Sequence, residues 1–406
     1  MNMKLKIDFS QVMLLAVLLA ALLPARASAQ GPAITLPPEP PPDPAYQPGQ
    51  GAPALGAEVG SGRRSTIGAY GEAHLVHREE ETTANLERFV LFVGHHFNDW
   101  ARFYSEIEIE DAKEIEPEQA YVELQPLKQV GVRAGLVVLP IGIINTLHEP
   151  PTFNGVGRPL TDQLIVPSTW RELGLGLYGE AVAGLHWQLA LVTGLDAAKL
   201  SVDRGLAPGR GAGMEAPARD GALVGRVHWN GLLGLDSGVS FYSGGAGQHH
   251  EDLGGVRVSL VEADARYARH GLGLRAEYAR VFIHGDDAAA RITAFQRATN
   301  PAAPVLGSQM QGFYLEAGYD LLRLLGGTAQ QLVIFSRYES VNTRARVPAV
   351  LGAEHAHAAQ FLFAGLSYLP HPQIAFKTDY RRAFQDEGTG LLAGEDQLSV
   401  GLGFMF

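Results

Sequence analysis

The chain contains no cysteine. A disulfide framework, a thiolate metal centre, a cysteine nucleophile and a lipid anchored through cysteine are therefore excluded. Lysine is scarce. After the first thirty residues it occurs only at Lys113, Lys128, Lys199 and Lys377, so basic charge is carried mostly by arginine. The formal charge of −11 argues against duplex nucleic acid as a partner. Long apolar runs are missing too. The longest, residues 12–23, falls short of the roughly 18 apolar residues of a membrane-spanning helix. No nucleophile-elbow sequence stands at a strand-to-helix turn. The glycine-rich stretches precede no helix, so they read as turns rather than phosphate cradles.

What is present begins with an address. Lys4 and Lys6 give a positive start, residues 12–23 (VMLLAVLLAALL) an apolar core, and Ala27-Ser28-Ala29 a small-residue cleavage site. Residues 1–29 are expected to be a secretory signal peptide. Residues 30–65 are rich in proline, glycine and alanine. Such a segment cannot bury a core and is expected to be a periplasmic tail.

From residue 66 to 406 the texture is uniform, which predicts a single domain. Short two-faced segments alternate with turn residues. In residues 103–110, Phe103, Ile107 and Ile109 fall on one face, and Tyr104, Glu106, Glu108 and Glu110 on the other. A strand sends successive side chains to opposite sides, so this segment separates oil from water. Three carboxylates on one face suit a wet lumen better than a packed core. The pattern recurs around Leu173, Leu189, Val227, Leu315 and Phe376. The expected strands are 66–77, 86–97, 101–110, 118–125, 130–139, 170–180, 184–194, 222–229, 233–243, 256–268, 272–283, 311–320, 330–340, 358–369, 373–384 and 396–406. Residues 86–97 are apolar on both faces, and 256–268 are expected to change phase midway, as a bulge would cause. No long helical period is found.

The fold class that follows is all-β, a transmembrane antiparallel barrel of about sixteen strands in the outer membrane of a Gram-negative bacterium. The connections support it. Every second one is expected to be short, as at 98–99, 126–129, 181–183, 230–232, 269–271 and 370–372. Those between are mostly long and polar, notably 140–169, 195–221, 284–310 and 341–357. Short periplasmic turns alternating with longer outer loops are expected of such barrels. Trp100, Trp187, Trp229 and Tyr319 gather at the short-turn end, as an interfacial girdle requires. Leu398, Val400, Leu402, Phe404 and the terminal Phe406 share one face. That ending resembles the signal read by the barrel-insertion machinery.

Residues 140–180 (PIGIINTLHEPPTFNGVGRPLTDQLIVPSTWRELGLGLYGE) resemble the phosphate-selective porin O and P family. So do FYSEIEIED at 103–111, EQAYVEL at 118–124, VRAGLVVLPIG at 132–142, IFSRYESVNT at 334–343 and GLSYLPHPQIAFKTDY at 365–380. The resemblance spans nearly the whole chain after the tail, and it rests on the order of the segments. It implies a sixteen-stranded barrel, usually a homotrimer, that passes small solutes. It also implies that the third outer connection, 140–169, folds inward and narrows the pore. Phosphate passage would need a densely cationic lining. The predicted lumen positions here mix signs, so the family's ligand residues are not carried over.

The expected pore-lining and constriction residues are Glu106, Glu108, Glu110, Arg133, His148, Glu149, Arg158, Asp162, Glu172, Arg226, Glu316, Arg337, Lys377 and Arg381. Acidic and basic members either set up a transverse field or neutralise one another. Arg158 either narrows the pore or pairs with a carboxylate. The outer-loop clusters His249-His250-Glu251-Asp252 and His355-Ala356-His357 fit no closed metal site and read as solvated loops. The expected function is passive diffusion of small hydrophilic solutes or ions, with membrane lipid as surroundings, no cofactor, no resident metal and no catalytic residue. The alternatives are an outer-membrane barrel hydrolase and an envelope-anchoring or adhesin barrel.

Overall fold

The computed structural model describes residues 57–59, 65–79, 81–127, 129–213, 215–326, 329–351, 358–385 and 390–406. The expected signal peptide, most of the tail, and His355 and His357 lie outside the described residues.

Sixteen strands close into a ring: β2 (Ser65–Arg78), β3 (Glu81–His96), β4 (Ala101–Glu110), β5 (Glu114–Leu127), β6 (Val130–Val138), β7 (Arg171–Val182), β8 (Leu185–Thr193), β9 (Gly221–Leu232), β10 (Leu235–Gly245), β11 (Arg257–Arg269), β12 (Leu272–His284), β13 (Gln309–Asp320), β14 (Gln331–Arg346), β15 (Ala359–His371), β16 (Ile374–Ala383) and β17 (Gln397–Met405). Each pairs antiparallel with its chain neighbours, and β17 returns to β2 through Leu398↔His77 to Met405↔Tyr70. Closure leaves no open edge, so every strand is hydrogen-bonded on both sides. At this seam Gly71 is required. A Cβ there would stand 2.9 Å from both the Phe404 ring and the Arg88 carbonyl. A short strand β1 (Ala57–Val59) pairs with Ser65–Ile67 of β2, where β17 has already ended.

The period-two pattern decides which face is which. On β4, Ile107 is 44 % exposed, whereas Glu106 and Glu108 on either side are 1 % and 4 % exposed. Leu75, Leu175, Leu191, Val239, Leu315, Phe376 and Leu402 likewise stand outside. A cylinder with an apolar exterior and a charged interior buries its oily face only in lipid.

Three expectations need correction. First, β11 shows no phase change. It pairs in unbroken register with β10 and β12, and Val258, Leu260, Glu262 and Asp264 all point inward. What switches is the chemistry of one face. Val258 and Leu260 join the apolar cluster that includes Leu253 and Ile292 beneath the outer loops, whereas Glu262 and Asp264 pair with Arg226. Similarly, β3 is apolar on both faces because Val90 and Phe92 pack inside with Tyr104 and Tyr121. Second, the β12–β13 connection holds a helix, α1 (Ala288–Thr299). Ala288 and Ile292 are buried, and Gln296 donates to the carbonyls of Ala198 and Leu200. Third, the β13–β14 connection is not short, since a 3-10 turn (Leu321–Leu325) occupies it.

Candidate functional site: the lumen and its inner loop

Between β6 and β7 the chain leaves the wall. Its base is pinned where Leu139 N–H donates to the Trp170 carbonyl at 2.8 Å and Asn145 bonds both residues. The segment then crosses the lumen. Gly142 and Ile143 donate backbone N–H groups to Glu262 of β11 and Glu277 of β12, each at 3.3 Å. Pro150–Thr152 contacts β2, β16 and β17, and Asn154 donates to Glu316 of β13 at 2.9 Å. Val156 N–H donates to Asp379 and Leu160 N–H to Glu339, both at 2.6 Å. Lys377 Nζ donates to the Gly155 carbonyl at 2.9 Å and lies over the Phe153 ring. A π-helical turn (Thr161–Ile165) then packs on β12 to β14.

The inward carboxylates thus have a purpose that periodicity alone does not reveal. Irregular backbone away from bulk water needs partners for its N–H groups. Glu262, Glu277, Glu339 and Asp379 supply them from the wall.

Among the described residues, three cavities border the inner loop. The loop-end vestibule holds about 320 Å³ and is lined by six arginines (Arg78, Arg88, Arg158, Arg204, Arg210, Arg381) against four carboxylates (Glu72, Glu87, Glu110, Asp379). Burial lowers the Arg210 guanidinium to about 10, with Arg171 pushing the same way, and it remains cationic at neutral pH. On the turn side of the inner loop lie cavities of about 50 Å³ and about 20 Å³, which share Thr146 and Gln188. The larger meets Glu106, Arg133, His148 and Glu149, and the smaller meets Arg226, His228 and Asp264.

The expected lining residues therefore separate into groups. Glu110, Arg158 and Arg381 reach the outer vestibule, with Glu110 exposed at its rim. Glu106, Arg133, His148, Glu149 and Arg226 reach the inner cavities. The other six line none of the three. Arg337 sits between Glu316 at 3.2 Å and Glu339 at 2.5 Å. Lys377 and Glu316 hold the inner loop. Glu172 accepts from Thr193 and from Gly211 N–H, which ties down the next outer connection. Glu108 lies 3.3 Å from Arg88 and 3.9 Å from Arg171. Asp162 is fully buried within the π turn. The inner loop covers Glu316, Arg337 and Lys377 and contains Asp162, whereas Glu108 and Glu172 are held by their own neighbours.

Most wall charges are neutralised locally. Arg88 binds Glu72 at 2.8 Å, Arg133 binds Glu123 at 2.9 Å, and Arg226 binds Asp264 at 2.6 Å. Arg158 differs. Among the described residues its Nη2 donates to the His148 carbonyl at 3.4 Å, and its Nε has no hydrogen-bond partner. On the outer surface His250 packs against Phe295 and stands 3.5 Å from Asp196, so it is less solvated than its loop position suggested.

Asp162 carries a prediction. Neither carboxylate oxygen has a hydrogen-bond partner. Burial, then the charges of Glu262 and Glu339, push its titration well above the ordinary 3.8. A carboxyl that holds its proton more tightly when folded favours the fold at low pH, and this contribution is lost as pH rises above the unfolded value. The unfolding temperature of the detergent-solubilised barrel is expected to fall less with rising pH in Asp162→Asn than in the wild type, with the two converging near pH 4. Parallel curves would show that Asp162 is compensated.

Sequence reasoning missed Tyr70 and Glu118. Tyr70 Oη lies 2.7 Å from Glu118 Oε2 and 2.9 Å from His148 Nε2. The β4–β5 register slips between Glu106↔Gln119 and Ile107↔Pro117, leaving Glu118 as the extra residue of a bulge. Both Glu118 and Gln119 consequently face inward. The legible signal was Pro117, since proline inside a strand marks such an irregularity.

A closed sixteen-strand antiparallel barrel that folds its longest lumen-crossing connection into its own interior has the fold of the porin-type outer-membrane channels. OmpF of Salmonella typhi in complex with daunomycin is similar at a TM-score of 0.59 and 14 % identity, covering 84 % of this chain and 97 % of that one. The outer-membrane channel DcaP of Acinetobacter baumannii gives 0.53 and 11 %, covering 86 % and 100 %. The anion-selective porin of Comamonas acidovorans gives 0.52 and 12 %, covering 84 % and 99 %. No protein-family model matches the chain. An uncharacterized protein of Aquifex aeolicus (strain VF5) is 32 % identical over 355 residues, which is 83 % of this chain and 80 % of the relative. The chain belongs to the family of that Aquifex protein.

Proposed function

We propose that the mature chain is an outer-membrane porin of a Gram-negative bacterium, through which small hydrophilic solutes or ions diffuse passively. The observation that carries this reading is the two-faced wall closed into a ring, with Ile107 outside and Glu106 and Glu108 inside. The inner loop leaves a basic vestibule on one side and two smaller polar cavities on the other, which supports a narrow path rather than a wide one. Residues 1–29 direct secretion, residues 30–65 form a periplasmic tail that joins the wall through β1 and Ser65, and the strand ending at Phe406 is recognised for insertion. The assembly is a homotrimer in lipid. The kinship with the phosphate-selective porin O and P family is proposed for architecture and not for phosphate. No catalytic role is assigned, since Arg88, Arg226, Arg337 and Asp379 are each engaged by another wall charge or by the loop backbone.

Purified protein in planar bilayers is expected to give discrete ohmic channels without lipid or peptide hydrolysis. Hydrolysis in sealed, non-conducting bilayers would replace this reading with the enzyme. A sealed bilayer combined with a loosened envelope on tail deletion would favour the anchor. Selectivity is expected to be weak, since most wall charges are paired. Under a salt gradient, Arg158→Gln should shift the reversal potential towards cations by more than Glu108→Gln shifts it towards anions. An unchanged potential in Arg158→Gln would remove that residue from the conducting path.

A further inference from the structure

Four elements bring polar groups to one point on the turn side of the inner loop. β4 contributes Glu106, the bulge of β5 contributes Glu118, β2 contributes Tyr70, and the loop contributes His148. One ligand atom from each of Glu106, Glu118 and His148 lies within 4.8 Å of the other two. None of these three side chains is more than 5 % exposed. Glu106 Oε2, Glu118 Oε1 and Glu149 Oε2 are buried with no hydrogen-bond partner.

The proton count makes the cluster chemically incomplete. His148 Nδ1 faces the Asn145 carbonyl at 3.2 Å, and a carbonyl only accepts, so the ring proton belongs on Nδ1. The Nε2 lone pair then points inward. It faces Tyr70 Oη at 2.9 Å and stands 3.2 Å from Glu118 Oε1. The single Tyr70 proton serves two acceptors and Gln119 serves Glu106, which leaves Glu106 Oε2 and Glu118 Oε1 without a hydrogen-bond partner among the described residues. The neighbouring guanidiniums reach Glu118 only through longer-range attraction. Arg88 is held by Glu72 and Glu108, and Arg158 donates to the His148 carbonyl.

From this geometry we infer that Glu106, Glu118 and His148 bind a divalent transition-metal ion of the zinc class. The spacing suits it, since two donors at the usual zinc distances in a tetrahedral site lie about 3.3 Å apart. An imidazole beside carboxylates favours such ions over magnesium or calcium, which prefer all-oxygen shells. The Asn145 carbonyl orients the imidazole, as an outer partner of a metal-ligating histidine does. The cavity of about 50 Å³ meets Glu106, His148 and Glu149, so it gives an entry path and a fourth ligand position for water or Glu149. A bound ion joins the inner loop to the β4–β5 wall and fixes the loop's position in the lumen.

The test is calorimetric titration of Zn²⁺ into chelator-treated, untagged full-length protein in detergent. The expected result is one ion per chain, undisturbed by excess Mg²⁺. Glu106→Gln and His148→Ala, each checked for a folded barrel by heat-modifiable migration, should bind at least about tenfold more weakly. His250→Ala should bind as the wild type does, which separates this site from the outer-loop histidines. If either loss variant fails to assemble, Glu118→Gln takes its place. Wild-type protein that takes up no Zn²⁺ at millimolar concentration, or folded loss variants that bind as tightly as the wild type, would overturn the inference.

Discussion

Replacing residues 147–166 by a short glycine-serine bridge is expected to raise single-channel conductance several-fold while the barrel still assembles. The conducting path is in series with whatever the loop leaves open. The loop stands between the outer vestibule and the two smaller inner cavities, so the resistance is concentrated there. Assembly should survive because the wall does not depend on the loop for closure, which is made strand to strand from β2 to β17. The loop's acceptors, among them Glu339 and Asp379, would exchange backbone N–H partners for lumen water. A variant that assembles with unchanged conductance would show that the resistance lies elsewhere, for example in the outer connections packed around α1.

Arg337→Met is expected to destabilise the barrel by about 3–5 kcal/mol, the usual cost of stranding a buried charge whose partner has been removed. Arg337 is 1 % exposed, lies over the Phe363 ring at 4.5 Å, and is the cation shared by Glu316 and Glu339. Its loss leaves two buried carboxylates facing each other. Both also hold the inner loop, through Asn154 and Leu160. Urea or thermal unfolding in detergent measures the loss. Adding Glu339→Gln should recover part of it, because one of the two stranded charges is then gone. A single variant as stable as the wild type would mean that lumen water already screens these carboxylates.

Much of the lumen is legible in the sequence. The inward direction of Glu106, Glu108, Arg226 and Lys377 follows from strand periodicity, because a side chain's face is set by parity along its own segment. Glu118 escaped that rule. Its face is decided by the slip against β4, a property of two strands together. The buried outer half of β11 escaped for a different reason. Val258 and Leu260 keep their parity, but the loops that pack on them come from distant parts of the chain. Helix α1 was missed because only one side of it is buried, against loops whose positions the local sequence does not specify.

The sequence by itself determined the cylinder: alternating side chains, strands of sufficient length and sorted connections allow oil on one face and charge on the other. Only the tertiary structure decided what the inner charges do. A carboxylate at Asp379 or Glu339 reads the same whether it faces water, a guanidinium or a loop amide. That choice depends on where residues 139–170 come to lie, more than two hundred positions away in the case of Asp379. Periodicity sets direction, whereas partnership is a matter of distance in space, and the loop that crosses the lumen sets those distances.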